Sequence, residues 1–228
     1  MKRIIKFLVA SQAIILIAFT ALLIGSATAQ AAPQSSTEIA YAKRGKAHHS
    51  KRQAKKPAII AKKTSQSQQS QPNSMVITPA KYRWPTNTIT YKIDQTSAYY
   101  ANIWQQAVDA WNSTEAVNLI PTTDSHPDIT LQVTTTQNLN YAGMTFIKYF
   151  NTTKNGLHIL APTTSTIYAN NCSYFKYTTS ERVHVGEHEL GHALGLGHST
   201  DPHSVMYPSI CDNTITSGDI AGIKQAYK

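Results

Sequence analysis

One short stretch constrains this chain more than any other: residues His188 to His198 read HELGHALGLGH. On an α-helix, residues four apart lie on one face, so His188 and His192 can present two imidazoles to a single metal ion. Gly195 has no Cβ and lets the chain turn sharply, which allows His198 to supply a third nitrogen from outside the helix. Zinc accepts neutral imidazoles and, in catalytic sites, keeps one position for water. The stretch therefore predicts a zinc site.

Glu189 stands directly beside the first of these histidines. It is placed to take a proton from a metal-bound water and to deliver it to a leaving amine. The five-residue pattern alone would arise by chance in about one chain in a hundred of this length, but requiring Gly195 and His198 as well lowers this to about one in a hundred thousand. We therefore predict a hydrolytic zinc site with Glu189 as the general base.

The residues that follow the motif carry a family resemblance. Ser199 comes after the third histidine, Met206 lies within the run SVMYP, and the stretch 217–223 reads SGDIAGI. With HELGHALGLGH, these features resemble the matrixin family, the matrix-metalloprotease type of metzincin zinc endopeptidase. The resemblance covers about Tyr82 to Lys228 and is strongest from His188 onward.

The resemblance implies both a fold and a set of site residues. The fold is α/β (α+β) and zincin-like, with a twisted mixed sheet, two long helices above it and a small lower subdomain that ends in a C-terminal helix. The implied zinc ligands are His188, His192 and His198, with Glu189 as general base. Met206 would lie under the metal, and Tyr207 and Pro208 would help to wall the substrate pocket. Substrate would bind extended along an edge strand, within 141–149 or 157–161.

The sequence also departs from the family. Latent matrixins carry a cysteine before the catalytic domain that caps the zinc, and here no cysteine precedes Cys172, which excludes that form of latency. The family's structural zinc and calcium loops have no clear match between Gly143 and Asn171, so a calcium ion has no clear motif to support it. We expect His158 to be an ordinary strand residue. His184 lies one turn before His188 and can line the cleft, although packing or solvent exposure is the simpler expectation.

Cys172 and Cys211 are the two cysteines of the chain. Because the chain has the features of an exported protein, we expect them to form a disulfide. It would close a loop of about 40 residues and contribute about 4 kcal/mol in the chain-entropy model. The alternative is two unpaired thiols.

The N-terminus has the pattern of a targeting signal. A basic start is followed by an apolar run from Phe7 to Ile24 and by small residues up to Ala29. This pattern predicts a signal peptide over residues 1–29 and a secreted protein that can associate with the cell surface. Because the apolar run is long, an uncleaved membrane anchor is the competing interpretation.

Residues 30–80 are rich in Gln, Ser, Ala and Lys, and we expect them to form a disordered, basic leader or spacer. Between Gln30 and Pro79 the chain has nine Lys and Arg residues and a single acidic residue, Glu38. Most of the net charge of the whole chain, +9, therefore lies in this segment. Such a segment can bind an anionic cell-wall polymer or lipid headgroups. A solvated spacer or pro-segment is an equal alternative. Nucleic-acid binding is not expected, because aromatic residues are not interleaved with the charges.

The folded catalytic domain is predicted over residues 81–228, as a monomer. Alternating and helical patterns of apolar residues predict the order strand, helix, strands, helix, loop, helix. This order is typical of an α/β fold in which helices pack against a mixed sheet. The predicted strands are 89–93, 117–120, 129–133, 141–149 and 157–161, and a polar loop follows the last of them. The predicted helices are 98–112 with Ser97 as N-cap, 178–195 with a Thr178/Glu181 capping box, and 216–227 with a Thr216/Asp219 capping box.

Three functions are compatible with these residues. The first is an exported zinc endopeptidase that cleaves proteins. The second is a non-catalytic, wall-binding protein with a structural zinc, against which Glu189 argues, because a structural site needs no base and is usually closed by a fourth ligand. The third is a peptidase that acts on the peptide crosslinks of a cell wall.

Overall fold

The computed structural model describes residues 34–44 through their backbone, and residues 75–210 and 213–228. The strands are β1 Gln34–Arg44, β2 Tyr82–Arg83, β3 Thr88–Ile93, β4 Asn118–Pro121, β5 Ile129–Thr134, β6 Tyr141–Lys154, β7 Leu157–Tyr168 and β8 Ser209–Ile210. The helices are α1 Ala98–Asn112, α2 Ala169–Tyr174, α3 Thr179–Ala193 and α4 Ser217–Ala226. The predicted mixed α/β fold is confirmed. None of the helices in the described part of the chain is both long and apolar enough to cross a membrane.

The strands form one mixed sheet in the order β4-β3-β5-β7-β6-β1-β8, with β2 paired to β7 beside this path. β3 runs parallel to β4 and β5, and β5 runs parallel to β7. β6 is antiparallel both to β7 and to β1, whereas β8 is parallel to β1. β6 therefore lies where the parallel part of the sheet gives way to antiparallel pairing.

The helix starts follow the capping rules that the sequence suggested. The Ser97 side chain accepts from the backbone N–H of Tyr100 at the start of α1. Complete capping boxes begin α3, with Thr178 and Glu181, and α4, with Thr216 and Asp219. A side chain of this kind satisfies a backbone N–H that has no partner within the helix, and the three predicted starts are confirmed.

α3 is held in place by two tryptophans from other parts of the domain. Trp111, fully buried on α1, donates its indole N–H to Glu187 O on α3 at 2.9 Å. Trp84 donates its indole N–H to Ala193 O, at the end of α3, at 2.8 Å. Buried indole N–H groups need such partners, and here they attach α3 to its surroundings at both ends of its buried segment.

The segment after Ala161 was predicted as a polar loop, and this was wrong. β7 continues to Tyr168 and is followed by the short helix α2. The Thr and Ser residues of this segment suit a strand because their hydroxyl groups pair across it, as Thr145 and Ser165 do at 3.0 Å. The predicted loop 151–156 is likewise reduced to a tight turn, in which Asn155 and Gly156 both have positive φ.

The leader also differs from the expectation for residues 30–80. Residues 34–44 form β1, which pairs with β6 and β8, and near the other end of the leader Thr78 N donates to Gly218 O at 3.1 Å. Backbone groups make these contacts, so the polar composition that predicts disorder does not prevent them. β6 presents an edge that an extended segment can cover. Residues 45–74 and the predicted signal 1–29 lie outside the described residues.

Candidate functional site

His188 and His192 lie on the buried side of α3, one helical turn apart. Their side chains are 0% and 3% exposed, and their Nε2 atoms lie 3.0 Å apart. The α-helix brings them together as the spacing of the two residues predicted. The first two of the three implied ligands therefore meet in the structure.

The third histidine reaches the same place through a turn at Gly195. Gly195 has φ +107°, and a Cβ atom there would lie 2.2 Å from Tyr82 O. Only glycine fits such a backbone, and its N–H donates to His192 O at 2.9 Å, which ends the helix. After this turn His198 lies with its ring centroid 5.4 Å from that of His188 and 4.9 Å from that of His192.

The three histidines can hold one metal ion, since one nitrogen from each lies within 4.8 Å of the others. His188 Nδ1 lies 2.6 Å from Val205 O, and His192 Nδ1 lies 2.8 Å from Leu196 O. A carbonyl oxygen only accepts, so both Nδ1 atoms carry the proton and both Nε2 atoms present lone pairs to each other. Two facing lone pairs at 3.0 Å repel unless a cation lies between them. The donor set fits zinc.

The protonation state of the histidines also suits a metal. Burial, with a smaller contribution from the neighbouring His198, lowers the pKa of His188 to about 3, against the opposing effect of the hydrogen bond to Val205 O. Burial, together with His188 and His198, holds the pKa of His192 well below its ordinary value. Both rings are therefore neutral at physiological pH, which is the form that binds zinc.

Glu189 is fully buried and faces β6. Thr145 Oγ1 lies 2.8 Å from Glu189 Oε2 and donates to it, and a Cβ atom on Gly143 would lie 2.6 Å from Glu189 Cγ. The backbone of β6 therefore passes directly against the carboxylate. Sequence reasoning missed Thr145, because nothing in the sequence separates it from the other threonines of the strands.

Met206 lies beneath α3, where its Sδ packs against Gly191. Its backbone is fixed on both sides: Met206 N donates to Ser204 Oγ at 2.9 Å, and Met206 O accepts from Ser199 N at 2.9 Å. Ser204 Oγ in turn donates to Asp219 Oδ1 at 2.6 Å. Asp219 was predicted only as a helix cap, and the structure shows that it also holds the methionine turn.

Tyr207 and Pro208 follow the turn and are half-buried where the chain enters β8. The structure thus places them between Met206 and a strand of the sheet. Their predicted part in the wall of a substrate pocket stays a prediction.

Other predicted residues have simpler outcomes. Cys172 is buried, and burial raises the pKa of its thiol form to about 12. Cys211 lies outside the described residues, so the Cys172–Cys211 disulfide stays a prediction. His158 is a strand residue of β7, as expected, with its ring 4.8 Å from that of Tyr149. His184, partly buried on α3, is not one of the three clustered histidines.

The site combines a helix that carries two histidines and a glutamate, a third histidine beyond a glycine turn, and a methionine beneath them. This combination defines the zinc-peptidase class of catalytic domain. Within that class the chain belongs to a specific family. Residues 83–228 match the peptidase family described as matrixin, and the chain is a member of it. The resemblance inferred from the sequence is confirmed.

Individual relatives agree with this assignment. The chain is 27% identical to Metalloendoproteinase 2-MMP of Arabidopsis thaliana over 65% of this chain and 44% of that protein. It is 26% identical to Matrix metalloproteinase-20 of Homo sapiens over 65% of this chain and 33% of that protein. A shorter match, to Matrilysin of Rattus norvegicus, is 54% identical over 19% of this chain and 18% of that protein. The chain spans less than half the length of each of these relatives.

Proposed function

We propose that this protein is a zinc-dependent endopeptidase that hydrolyses peptide bonds with Glu189 as general base. The observation that carries the proposal is the convergence of His188, His192 and His198 on one point of a helix that also carries the buried Glu189, the residue next to His188. Membership of the matrixin family supports the same class of reaction. A purely structural zinc site would need no general base such as Glu189.

Different residues of the chain bind the metal, transfer the proton and orient the base. The three imidazoles would hold a zinc ion, which would supply a Lewis acid to activate water and polarise the scissile carbonyl. Glu189 takes the proton of the attacking water and passes it to the nitrogen of the leaving amine. Thr145 holds one carboxylate oxygen of Glu189 by a hydrogen bond of 2.8 Å, which fixes the orientation of the base.

We propose an extended protein or peptide segment as the substrate. β6 passes against Glu189 through Gly143 and Thr145, so an extended chain paired with β6 would bring its peptide bonds to the metal site. Such pairing uses main-chain hydrogen bonds and tolerates many side chains.

We propose that the protein acts outside the cell. The support is the N-terminal sequence, where a basic start, an apolar run and small residues up to Ala29 have the signal-peptide pattern. The basic residues between Gln30 and Pro79 would then meet anionic wall polymers or lipid headgroups. Detection of the chain without residues 1–29 in the culture medium would support export, and retention of the intact chain within the producing cells would contradict it.

The test of the proposed reaction is the replacement Glu189→Gln. It removes the base and keeps the shape of the side chain, so hydrolysis of an unfolded protein should fall at least about a hundredfold while zinc stays bound. The matched control is Glu187→Gln on the same helix. Glu187 is also buried, but it lines a pocket with Ala110 of α1 and Ile220 of α4, and burial raises its pKa to about 7, so a neutral amide should be tolerated there. Undiminished hydrolysis by the Glu189 variant would exclude the proposed base.

A further inference from the structure

A second pocket lies against α3, apart from the metal site. Its volume is about 280 Å³, and its walls come from the end of α1, from α3, and from the segment that leads into α4. Pockets for drug-sized ligands measure about 300–1,000 Å³, so this pocket suits one side chain or a small molecule of similar size. Neither Glu189 nor any of the three clustered histidines is among the described residues that line it.

The pocket contains a buried carboxyl group. Glu187 lines it with a side chain that is only 7% exposed. Its Oε2 atom is buried and has no hydrogen-bond partner among the described residues. Burial of a carboxylate oxygen is unfavourable unless a donor or a cation pairs with it. A ligand that enters the pocket can supply that partner.

Two hydroxyl groups that line the pocket with Glu187 present acceptors to it. Ser113 Oγ donates its proton to Ala110 O at 2.7 Å, and Thr114 Oγ1 donates its proton to Trp111 O at 2.6 Å. A hydroxyl group has a single proton, so only the oxygen lone pairs of these two groups remain for a ligand. The pocket therefore favours a ligand that donates hydrogen bonds.

The end of α1 adds a negative potential. Ser113 is the C-cap of this 15-residue helix, whose last turn contains no basic residue. A helix C-terminus carries a partial negative charge and is stabilised by a nearby cation. None of the described residues that line the pocket is Lys, Arg or His. The carboxyl group, the lone pairs and the helix end therefore all favour a positively charged ligand.

We infer that this pocket binds a primary ammonium group on a short aliphatic chain, such as the side chain of lysine. An ammonium group has three donors and no acceptor, which matches the Glu187 carboxylate and the Ser113 hydroxyl oxygen. The methylene groups would pack against Ala110, Ile215 and Ile220, the apolar residues of the pocket wall. A lysine side chain of a protein and a free aliphatic diamine share this chemistry.

Binding is measured on the full chain by NMR, from the methyl signals of Ile215 and Ile220. The probes are Nα-acetyl-lysine N-methylamide, which represents a lysine side chain in a protein, and cadaverine, which represents a free diamine. Nα-acetyl-norleucine N-methylamide is the matched control, because it keeps the aliphatic chain and lacks the ammonium group. The measurement requires no hydrolysis, so its result is independent of the proposed function.

We expect the lysine probe to shift both methyl signals to saturation, with a Kd on the order of a millimolar, as suits one side chain in an open pocket. The norleucine control should leave the signals unshifted. The probe that binds more tightly, the lysine derivative or cadaverine, identifies whether the ligand is a protein side chain or a free amine.

Two variants test the residues that hold the ammonium group. Glu187→Gln removes the charge of the acceptor, so both probes should bind at least about tenfold more weakly. Glu181→Gln is the matched control, because it removes the same charge from the same helix and glutamine also completes a capping box, so the Kd should stay the same. Ser113→Lys changes an exposed residue at the pocket and supplies an ammonium group from the chain itself, so binding of both probes should be lost.

Three results would overturn the inference: equal binding of the lysine and norleucine probes, equal weakening in the Glu187 and Glu181 variants, or undiminished binding by the Ser113 variant. The second of these would mean that the probes respond only to the overall charge of the protein. If the Glu187 variant fails to fold, the Ser113 variant decides, because its replacement lies at an exposed position.

Discussion

At the scale of single residues, the site depends on which groups hold the reactive side chains. The carbonyl groups of Val205 and Leu196 fix the tautomers of His188 and His192, so that both Nε2 atoms face the metal position. Thr145 orients the Glu189 carboxylate in the same way, by a hydrogen bond from its fully buried hydroxyl. Side chains of this kind orient the groups that react and do not themselves contact the substrate.

Replacement of Thr145 by Val tests this positioning. Valine keeps the shape and removes the hydroxyl, so the hydrogen bond to the carboxylate, worth about 1.5–3 kcal/mol, is lost. We expect kcat to fall about ten- to hundredfold with little change in KM, measured with a peptide substrate on the zinc-loaded protein. Thr145→Ser keeps the hydroxyl and should retain most of the activity. Equal losses in the two variants, or a change confined to KM, would show that Thr145 acts only through packing.

At the scale of elements, α4 and the methionine turn depend on one carboxylate. Asp219 caps α4 and also accepts from Ser204 Oγ at 2.6 Å and from Thr78 Oγ1 at 2.5 Å. It therefore connects the segment before the domain, the turn under the histidines and the last helix. Glu181 occupies the same capping-box position on α3, but its hydrogen bonds are exposed and confined to its own helix start.

This contrast predicts different stability losses. Asp219→Ala removes a cap, worth about 1 kcal/mol, and leaves buried hydroxyl groups without their acceptor, which costs about 1–3 kcal/mol more. Glu181→Ala removes only an exposed cap interaction, so its loss should not exceed about 1 kcal/mol. Urea unfolding should therefore show a loss of about 3 kcal/mol for the first variant and a clearly smaller loss for the second. Similar losses would mean that Asp219 acts only as a cap.

At the scale of the whole molecule, the sequence predicted the features that depend on residues close together in the chain. The helix starts at Ser97, Thr178 and Thr216 depend on residues three positions apart, and the zinc motif depends on the helical period and one glycine turn. The pairing of β1 with β6 could not be predicted, because it joins residues about a hundred positions apart through backbone groups that every sequence shares. The extension of β7 was missed for a related reason: its polar residues find partners across the sheet, and a single strand read alone does not show them.

The central claim is that three histidines hold one zinc ion on which peptide hydrolysis depends. The most direct test is to titrate the metal-free protein with zinc while hydrolysis of an unfolded protein and the bound metal are measured together. Hydrolysis should be absent without metal, rise in proportion to bound zinc, and level off at one ion per chain. Hydrolysis at the full rate by the metal-free protein, or none with one zinc ion bound, would contradict the claim.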